Sequence, residues 1–430
     1  MAFVEVARLF VDPKRARVYE HGWQSWSPTT AYPATSTSHR PVAAHSLTQN
    51  YRPGRPAPAE GFQGEGLLVV DSGDGRVVSF EAGSPVSVPS IRARLDGDVL
   101  IVSADDLVRS QGADDMASAL TDFGDRFAAT CGVEYIRQPP TAWCSWYQYY
   151  RRVTVDDVHR NVDAIGEADL PVDVIQIDDG WQSAVGDWLS PSERFGSLSR
   201  IAERIRESGR RPGIWVAPFL ASATSELARR HPEWLYPDRA GHNWGGDTFG
   251  VNPDAAADHL ATVFTMLRDA GFDYFKLDFL YAGALDSLTD YRSGLAAIRD
   301  VVGADAYLLG CGAPILGSVG LVDAMRVGPD IAPSYEPPGG DLSQPSQAGA
   351  ILNTRGRAWQ HGRFWVNDPD CLIARPGVER RAEWAATVEA FGGLRSISDG
   401  IDELDEWGLT TTRRLLADVP APLPFDELLA

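Results

Sequence analysis

Apolar and polar positions along this 430-residue chain follow two patterns, which meet near residue 137. Before that point, short apolar runs alternate with turn residues, which is typical of antiparallel strands. The predicted strands there are 67–70, 77–82 and 99–104. Apolar residues then recur at helical spacing from Met116 to Phe127, and Pro139 and Pro140 end the pattern. We therefore predict an antiparallel β domain with a linking helix over residues 1–137.

After this boundary, β-branched or aromatic runs alternate with stretches of helical periodicity. The predicted strands are 141–146, 172–177, 213–217, 274–277, 306–309, 323–327, 363–366 and 394–397. Eight strands separated by helices predict an α/β fold, a (β/α)8 barrel, over residues 138–418, followed by a short tail, 419–430. An open doubly wound sheet is the alternative, but no glycine-rich phosphate loop follows the first strand.

Polar side chains follow several of the predicted strands directly. Tyr147 comes after strand one, Asp178 and Asp179 after strand two, Asp278 after strand four and Asp330 after strand six. In a (β/α)8 barrel these positions meet at the catalytic face. A single acid in a loop is usually only solvated, but acids that converge on one barrel mouth predict an active site there.

Basic residues accompany two of these acids. Lys276 lies two residues before Asp278, although Lys14 is the only other lysine of the chain, and Arg326 lies four residues before Asp330. A lysine brings a compact charge with three rotatable donors, whereas arginine brings a wide planar fork. Lys276 is either an accidental lysine or a ligand of a polar substrate.

The amino-acid composition limits which partners and cofactors we expect this protein to bind. The formal net charge of −20 argues against nucleic acid and against an anionic membrane surface, since both need a basic footprint. Four scattered cysteines and eight histidines show no zinc-ribbon or HExxH spacing, so we expect no disulfide framework, metal or cofactor. The N-terminal residues lack the features of a secretory signal and no long apolar run follows, which predicts a cytoplasmic protein.

The aromatic residues and the paired acids each allow more than one interpretation. Most tryptophans are core residues, but the excess suits the flat apolar face of a sugar; the candidates are Trp23, Trp26, Trp146, Trp181 and Trp215. Asp178 and Asp179 either form a turn before Gly180, hold a metal, or accept hydrogen bonds from two hydroxyls of a polyol.

Six segments together resemble glycoside hydrolase family 36, the α-galactosidases. They are HGWQSW at 21–26, GIW at 213–215, YFKLDF at 274–279, LGCG at 309–312, MRVGPD at 325–330 and NDPDC at 367–371. The resemblance runs from about residue 20 to residue 415. It implies an N-terminal β-sandwich before the barrel. The family's C-terminal antiparallel β domain is not expected here, and its absence would leave a surface exposed or buried against another subunit of a homo-oligomer.

Carried over by position, the resemblance implies a retaining α-galactosidase that hydrolyses small α-galactosides. Asp278 would be the nucleophile and Asp330 the acid/base, with repulsion from ionised Asp278 keeping a proton on Asp330. The implied sugar-binding residues are Asp178, Asp179, Lys276, Arg326, Trp215 and Trp23, with Tyr147 and Cys311 as weaker candidates. The acids of the NDPDC segment are taken only to fix a loop.

Four other functions remain open from the sequence. A transglycosylase of the raffinose-synthase kind would use the same two carboxylates with a sugar as acceptor. A related α-glycosidase would differ in the sugar that it accepts, and a silent sugar-binding protein would lack the chemistry. An enolase-like barrel with Lys276 as base would need a magnesium site of carboxylates on consecutive strands, whereas strand five ends in Gly310-Cys311-Gly312. The Pro/Gly-rich stretch 333–349 is interpreted as a long loop of the active face.

Overall fold

The computed structural model describes residues 2–38 and 44–425. Its first part contains two antiparallel sheets and two helices. Their elements are β1 (Val4–Phe10), β2 (Arg17–Glu20), β3 (Thr30–Pro33), α1 (Ala44–Asn50), β4 (Phe62–Glu65), β5 (Leu67–Asp71), β6 (Val77–Glu81), β7 (Ser90–Asp96), β8 (Val99–Ala104), β9 (Arg109–Ala113) and α2 (Met116–Thr130). The strand orders are β1-β8-β7-β4 and β3-β2-β5-β6-β9.

Strand β5 contributes side chains both to the core between the two antiparallel sheets and to the core that continues into the barrel. Successive side chains of a strand point to opposite faces. Leu68 and Val70 lie in a core shared with Leu100 of the other sheet, so the two sheets form a sandwich. Leu67 and Val69 belong to a second core, which continues through α2 into the barrel. The run is apolar without alternation because both of its faces are covered, and the predicted sandwich is confirmed.

The second part is a parallel barrel surrounded by helices. Its elements are β10 (Thr141–Cys144), α3 (Trp146–Tyr149), α4 (Val155–Glu167), β11 (Val174–Ile177), α5 (Leu198–Glu207), β12 (Arg211–Val216), β13 (Leu220–Ser222), α6 (Glu226–Arg230), β14 (Leu235–Asn243), β15 (Gly246–Val251), α7 (Ala257–Ala270), β16 (Tyr274–Leu277), α8 (Leu288–Val302), β17 (Tyr307–Gly310), α9 (Ile315–Ser318), β18 (Ala324–Arg326), α10 (Gln347–Gly356), β19 (Val366–Asp368), α11 (Arg381–Phe391), β20 (Arg395–Ile397) and α12 (Glu406–Ala417).

The eight barrel strands are neighbours in the order β19-β18-β17-β16-β12-β11-β10-β20. The gap between β19 and β20 is bridged by Leu372, which pairs with Ile397, and by the Asn367 carbonyl, which accepts from the amides of Gly393 and Leu394. The (β/α)8 barrel is therefore confirmed, with its eight strands in the predicted order along the chain.

Strand seven does not lie where the sequence pattern placed it. We predicted residues 363–366, whereas β19 spans Val366–Asp368. The Arg363 side chain binds the Asp125 carboxylate of α2 and the Trp359 carbonyl, so it belongs to the packing of α2 on the barrel. The shift brings the acids of the NDPDC segment to the end of the strand.

Strands β13, β14 and β15 form an inserted sheet that the sequence pattern did not predict. They follow barrel strand three and form a three-stranded antiparallel sheet in the order β13-β15-β14. The hairpin of β14 and β15 turns at Trp244 and Gly245, both with positive φ. This hairpin extends to α1 of the first part, because the Gln49 amide donates to the Asn243 side chain over 2.7 Å.

The last helix, α12, ends at Ala417, and the predicted tail 419–430 is described only as far as residue 425, so 426–430 lie outside the described residues. Within residues 2–38 and 44–425, no helix is both long and apolar enough to cross a membrane.

Candidate active site

A cavity of about 250 Å³ opens at the carboxyl-terminal ends of the barrel strands. Carboxylates, one ammonium group and aromatic rings line it together, which is the usual composition of a small-molecule site. Several lining residues lie in a barrel strand or shortly after its end. They are Trp146, Asp178, Asp179, Trp215, Lys276, Asp278 and Asp330.

Asp278 directly follows β16 and is buried. Its two carboxylate oxygens accept hydrogen bonds from Trp215 Nε1 over 3.0 Å and from the Phe279 amide over 2.7 Å. Phe279 adopts a left-handed backbone conformation with φ +50°, which turns the chain sharply after the carboxylate. Burial raises the pKa of Asp278 above its ordinary value, although the charge of Lys276 and the Trp215 hydrogen bond oppose that shift.

Asp330 reaches the same cavity from the segment after β18 and is partly exposed, with 33% of its side chain accessible. Its Oδ1 accepts from Arg326 Nη1 over 2.9 Å. Its backbone carbonyl accepts from the Ser346 amide, which ties the carboxylate to the N-terminus of α10. Two carboxylates with different solvent access therefore face one cavity.

Asp178 is saturated with hydrogen bonds. Its Oδ2 accepts from Lys276 Nζ over 2.9 Å and from Gln176 Nε2 over 2.7 Å, and the Cys144 thiol lies 3.4 Å away. Its Oδ1 accepts from the Asp179 amide. This carboxylate is held rigidly, in contact with the only ammonium group that lines the cavity among the described residues.

The carboxylate of Asp179 is fixed through only one of its two oxygens. Gln182 Nε2 donates to its Oδ1 over 2.6 Å, while its buried Oδ2 has no hydrogen-bond partner in the part of the chain that the structure describes, and Arg151 Nε lies 3.8 Å from that oxygen. Burial raises the pKa of Asp179 to about 6, against the opposing effect of the Gln182 hydrogen bond. A buried acceptor without a partner is costly, so this oxygen is suited to receive a hydroxyl from a ligand.

Lys276 points into the cavity from β16. Strand register pairs it with Trp215 of β12, which places the ammonium beside the indole. Burial alone would lower the pKa of Lys276, but the Asp178 carboxylate raises it well above the ordinary value. The lysine therefore remains charged and is available as a donor to a polar ligand.

Four residues that we expected to contact the sugar are absent from the cavity lining. They are Trp23, Tyr147, Cys311 and Arg326. Each is buried behind it. The Cys311 amide continues the strand pairing by donating to the Leu277 carbonyl, and the Tyr147 hydroxyl donates to the Asp370 carboxylate. Arg326 divides its guanidinium among the three carboxylates of Asp330, Asp368 and Asp370.

Trp26 occupies the position that we expected for Trp23. Trp23 is buried in the core, with the Arg52 guanidinium 5.1 Å from its ring centroid. Trp26, three residues later, lines the cavity and stands edge-on to Phe279 at 5.2 Å. The HGWQSW segment offers two tryptophans at this spacing, and the sequence alone did not show which one faces the barrel.

Several lining residues come from outside the barrel strands, and the sequence did not single them out as site residues. These are Gln49, Asn50, Asn243, Trp244, Ser343, Gln344 and Pro345. Gln49 and Asn50 belong to α1 of the first part, and Asn243 and Trp244 to the inserted hairpin. The last three lie inside the Pro/Gly-rich stretch 333–349, whose position after strand six was the only available signal.

In the part of the chain that the structure describes, no three His, Cys, Asp or Glu side chains are arranged to hold a metal ion. The cavity itself presents two carboxylates, Asp278 and Asp330, beside fixed donors and acceptors for hydroxyl groups.

Comparison with known sequences gives one family model and several relatives. The melibiase model matches residues 110–310. The bifunctional α-galactosidase/sucrose kinase AgaSK of Mediterraneibacter gnavus is 34% identical over 192 residues, which are 40% of this chain and 19% of that protein. The α-galactosidase AgaA of Geobacillus stearothermophilus is 33% identical over 123 residues, 26% of this chain and 17% of AgaA. The matched stretches thus span less than a fifth of either relative.

Comparison with solved structures extends the similarity over almost the whole chain. TtGalA, an α-galactosidase from Thermus thermophilus solved with p-nitrophenyl α-D-galactopyranoside, superposes with a TM-score of 0.81 and 28% identity over 97% of this chain and 95% of that chain. The crystal structure of AgaA, at 14% identity, a TM-score of 0.64 and coverage of 96% and 61%, shares the fold.

Proposed function

We propose that the chain is a melibiase of glycoside hydrolase family 36, a retaining α-galactosidase that releases terminal α-linked galactose from small galactosides. The observation that carries this proposal is the pair Asp278 and Asp330, which face one cavity from the ends of barrel strands four and six. The solved complexes of TtGalA with an aryl α-galactoside and with stachyose support the substrate class.

We assign recognition of the galactose ring to the groups that already have spare hydrogen-bonding capacity. The free Oδ2 of Asp179 would accept from a ring hydroxyl, and Lys276 would donate to another through the protons that Asp178 leaves unused. Trp26, Trp215 and Trp244 would surround the apolar face of the ring. Asp178 would act mainly by fixing Lys276.

In the first step, the Asp278 carboxylate attacks the anomeric carbon while Asp330 gives its proton to the departing glycosidic oxygen. A covalent galactosyl ester forms on Asp278, and the aglycone leaves as a neutral alcohol. Retaining enzymes hold the two carboxyl groups about 5 to 5.5 Å apart for this purpose. Trp215 Nε1 and the Phe279 amide orient the attacking carboxylate.

In the second step, Asp330 is a carboxylate and takes a proton from water as that water attacks the anomeric carbon. The bond to Asp278 breaks, the Asp278 carboxylate is restored, and α-galactose is released. Repulsion between the two carboxylates is absent while Asp278 is an ester, which makes the base form of Asp330 easier to reach during this step.

A panel of nitrophenyl α-glycosides, assayed on the purified chain, tests the proposal. We expect kcat/KM for the galactoside to exceed that for the glucoside and the mannoside by about 100-fold or more, because a buried acceptor such as Asp179 Oδ2 is left unpaired by the wrong epimer. Equal turnover of the three sugars would contradict the proposed specificity. Proton NMR of the first product separates the mechanisms, since β-galactose as the initial anomer would exclude retention.

A further inference from the structure

The acids after barrel strand seven have no part in the steps given above, yet they surround the arginine that contacts Asp330. We infer that Asp370 is a positioning residue for the acid/base Asp330: through Arg326 and the Ile331 backbone it fixes the Asp330 carboxyl and helps that carboxyl to hold its proton. This inference rests on the proposed function, in which Asp330 must first give up a proton and then take one back.

Arg326 is the link between the two acids. It is buried, with 1% exposure, and its three donor groups point to three different carboxylates. Nη1 contacts Asp330 Oδ1 at 2.9 Å, Nη2 contacts Asp370 Oδ1 at 2.7 Å, and Nε contacts Asp368 Oδ2 at 3.3 Å. Because a guanidinium is planar and rigid, fixing two of its edges also fixes the third, which faces Asp330.

Asp370 is held more firmly than a loop acid requires. Its carboxylate accepts from the Tyr147 hydroxyl, from Arg326 Nη2, from the Cys371 amide and, over 2.8 Å, from the Ile331 amide. Ile331 directly follows Asp330, so this last bond also fixes the backbone that carries the acid/base. The residue is fully buried and adopts φ +100°, a conformation that costs free energy in any residue with a side chain.

Charge explains why an arginine beside a general acid needs such neighbours. A lone Arg–Asp contact strongly favours the ionised carboxylate, which would deprive Asp330 of the proton that the first step consumes. Here Asp368 and Asp370 already match the charge of Arg326 and add negative charge nearby. Arg326 can therefore orient Asp330 without being matched to that carboxylate alone.

Other charged and titratable groups face the two acids, and they come from several elements around the barrel mouth. Those that interact electrostatically with Asp330 or Asp370 are Tyr147, Tyr150, Lys276, Asp278, Cys311, Arg326, Asp368 and Cys371. Burial raises the pKa of Asp370 above its ordinary value, although Arg326 opposes this shift. Four donors to its carboxylate favour the anion, so we treat Asp370 as charged at neutral pH.

The dependence on leaving group provides the first test. Methyl α-galactoside needs protonation of its leaving oxygen, whereas dinitrophenyl α-galactoside hardly does. We expect Asp370→Asn to lower kcat for the methyl glycoside by about 100-fold and for the dinitrophenyl glycoside by less than about threefold, since general acid assistance contributes about 10² to 10⁴. Equal losses on the two substrates would reduce Asp370 to a structural residue and overturn the inference.

The pH profile provides the second test. Without the Asp370 charge, Arg326 is less neutralised and Asp330 loses its proton more readily, so the basic limb of kcat/KM should move to lower pH by about one unit. Asp323→Asn is the matched control, because Asp323 lies at the opposite end of strand six and also pairs with an arginine, Arg299. An unmoved basic limb in Asp370→Asn, or an equal movement in Asp323→Asn, would contradict the inference.

Tyr147→Phe is a milder variant that tests the same inference if Asp370→Asn does not fold. Tyr147→Phe removes one of the four donors to Asp370 and leaves the three carboxylates around Arg326 in place. We expect the same substrate dependence with a smaller amplitude, and a folded Tyr147→Phe enzyme with wild-type behaviour on both substrates would overturn the inference. Failure of the proposed function is distinct, because the wild-type chain would then hydrolyse neither galactoside.

Discussion

At the scale of single residues, Asp278 combines a role in chemistry with a cost in stability. Its folded-state pKa is raised by burial, so its ionised form destabilises the folded chain at pH values above that pKa, and the cost disappears below the ordinary value. Asp278→Asn should therefore lose turnover by about 10⁴-fold and should have a Tm at neutral pH equal to or above that of the wild type.

The pH dependence of Tm distinguishes destabilisation by the buried charge of Asp278 from a change in packing. The difference between Asp278→Asn and the wild type should shrink as pH falls towards the ordinary range of an aspartate, where both side chains are neutral. A variant that is less stable than the wild type by the same amount at every pH would indicate a change in packing, whereas a deficit that appears only at neutral pH would show that the hydrogen bonds from Trp215 and Phe279 outweigh burial of the charge.

Asp179 gives a second prediction at this scale, based on binding. Its pKa of about 6 means that the acceptor Oδ2 becomes protonated as pH falls through that value. The inhibition constant of galactose should rise below about pH 6 in the wild type, whereas Asp179→Asn should bind galactose weakly and without that pH dependence. Titration of galactose against a slow substrate at several pH values would measure both, and an unchanged pH dependence in the variant would assign the titration to another group.

At the scale of elements, sequence periodicity located the strands that carry the catalytic acids but not the segments that cover them. Strand β16 lies where it was predicted, because four buried residues directly precede Asp278. The β14–β15 hairpin was missed, since β14 contains Pro237 and mixes buried with exposed positions without a regular period. Strand seven was displaced because Arg363 binds Asp125 of α2 and Phe364 packs on Phe127 of the same helix, so these residues belong to the packing of α2 rather than to the barrel sheet.

The same limits explain which site residues could be predicted. Acids at strand ends follow from the architecture, whereas Trp26, Asn50 and Trp244 reach the cavity through contacts between distant segments. Their sequence neighbourhoods contain no periodic signal that distinguishes a wall of a cavity from an ordinary core or loop position. Arg326 was assigned to the substrate from the family resemblance alone, and only the structure shows its three carboxylate partners.

The inserted hairpin yields a prediction about substrate binding. Trp244 lies at its turn, lines the cavity and packs on Phe279 at 5.2 Å. Trp244→Ala should raise KM by about tenfold, which corresponds to roughly one lost aromatic contact. We expect kcat and Tm to change little because Trp244 is only partly buried at the edge of the core. Trp407→Ala in α12, whose ring packs under Arg381, is the matched control and should leave KM unchanged.

At the scale of the whole molecule, Arg357 joins the first part of the chain to the active face. Its buried guanidinium donates to four backbone carbonyls, those of Gln24, Ser25, Ser27 and Val327. Three of these belong to the loop that carries Trp26, and the fourth lies three residues before Asp330. Burial lowers the pKa of Arg357 to about 10, and no carboxylate of residues 2–38 and 44–425 pairs with it to offset that effect.

Arg357→Met should therefore affect both stability and binding. We expect the free energy of unfolding to fall by about 3 kcal/mol or more, because buried carbonyls lose their donors, and KM to rise as Trp26 loses its fixed position. Arg363→Met is the control, since Arg363 also binds carbonyls and Asp125 but does not contact the Trp26 loop. A KM that stays at the wild-type value in a folded Arg357→Met enzyme would separate the loop from substrate binding.

The contribution of α1 and the Trp26 loop to the cavity also bears on how this molecule can change during evolution. A barrel that contained its whole pocket would tolerate exchange of an accessory domain without consequence for the reaction. Here the loss or replacement of the β-sandwich would remove Trp26, Gln49 and Asn50 from the pocket in one event. The two parts must therefore be inherited together, and new substrate preferences can arise through mutations in the sandwich as readily as through mutations in the barrel.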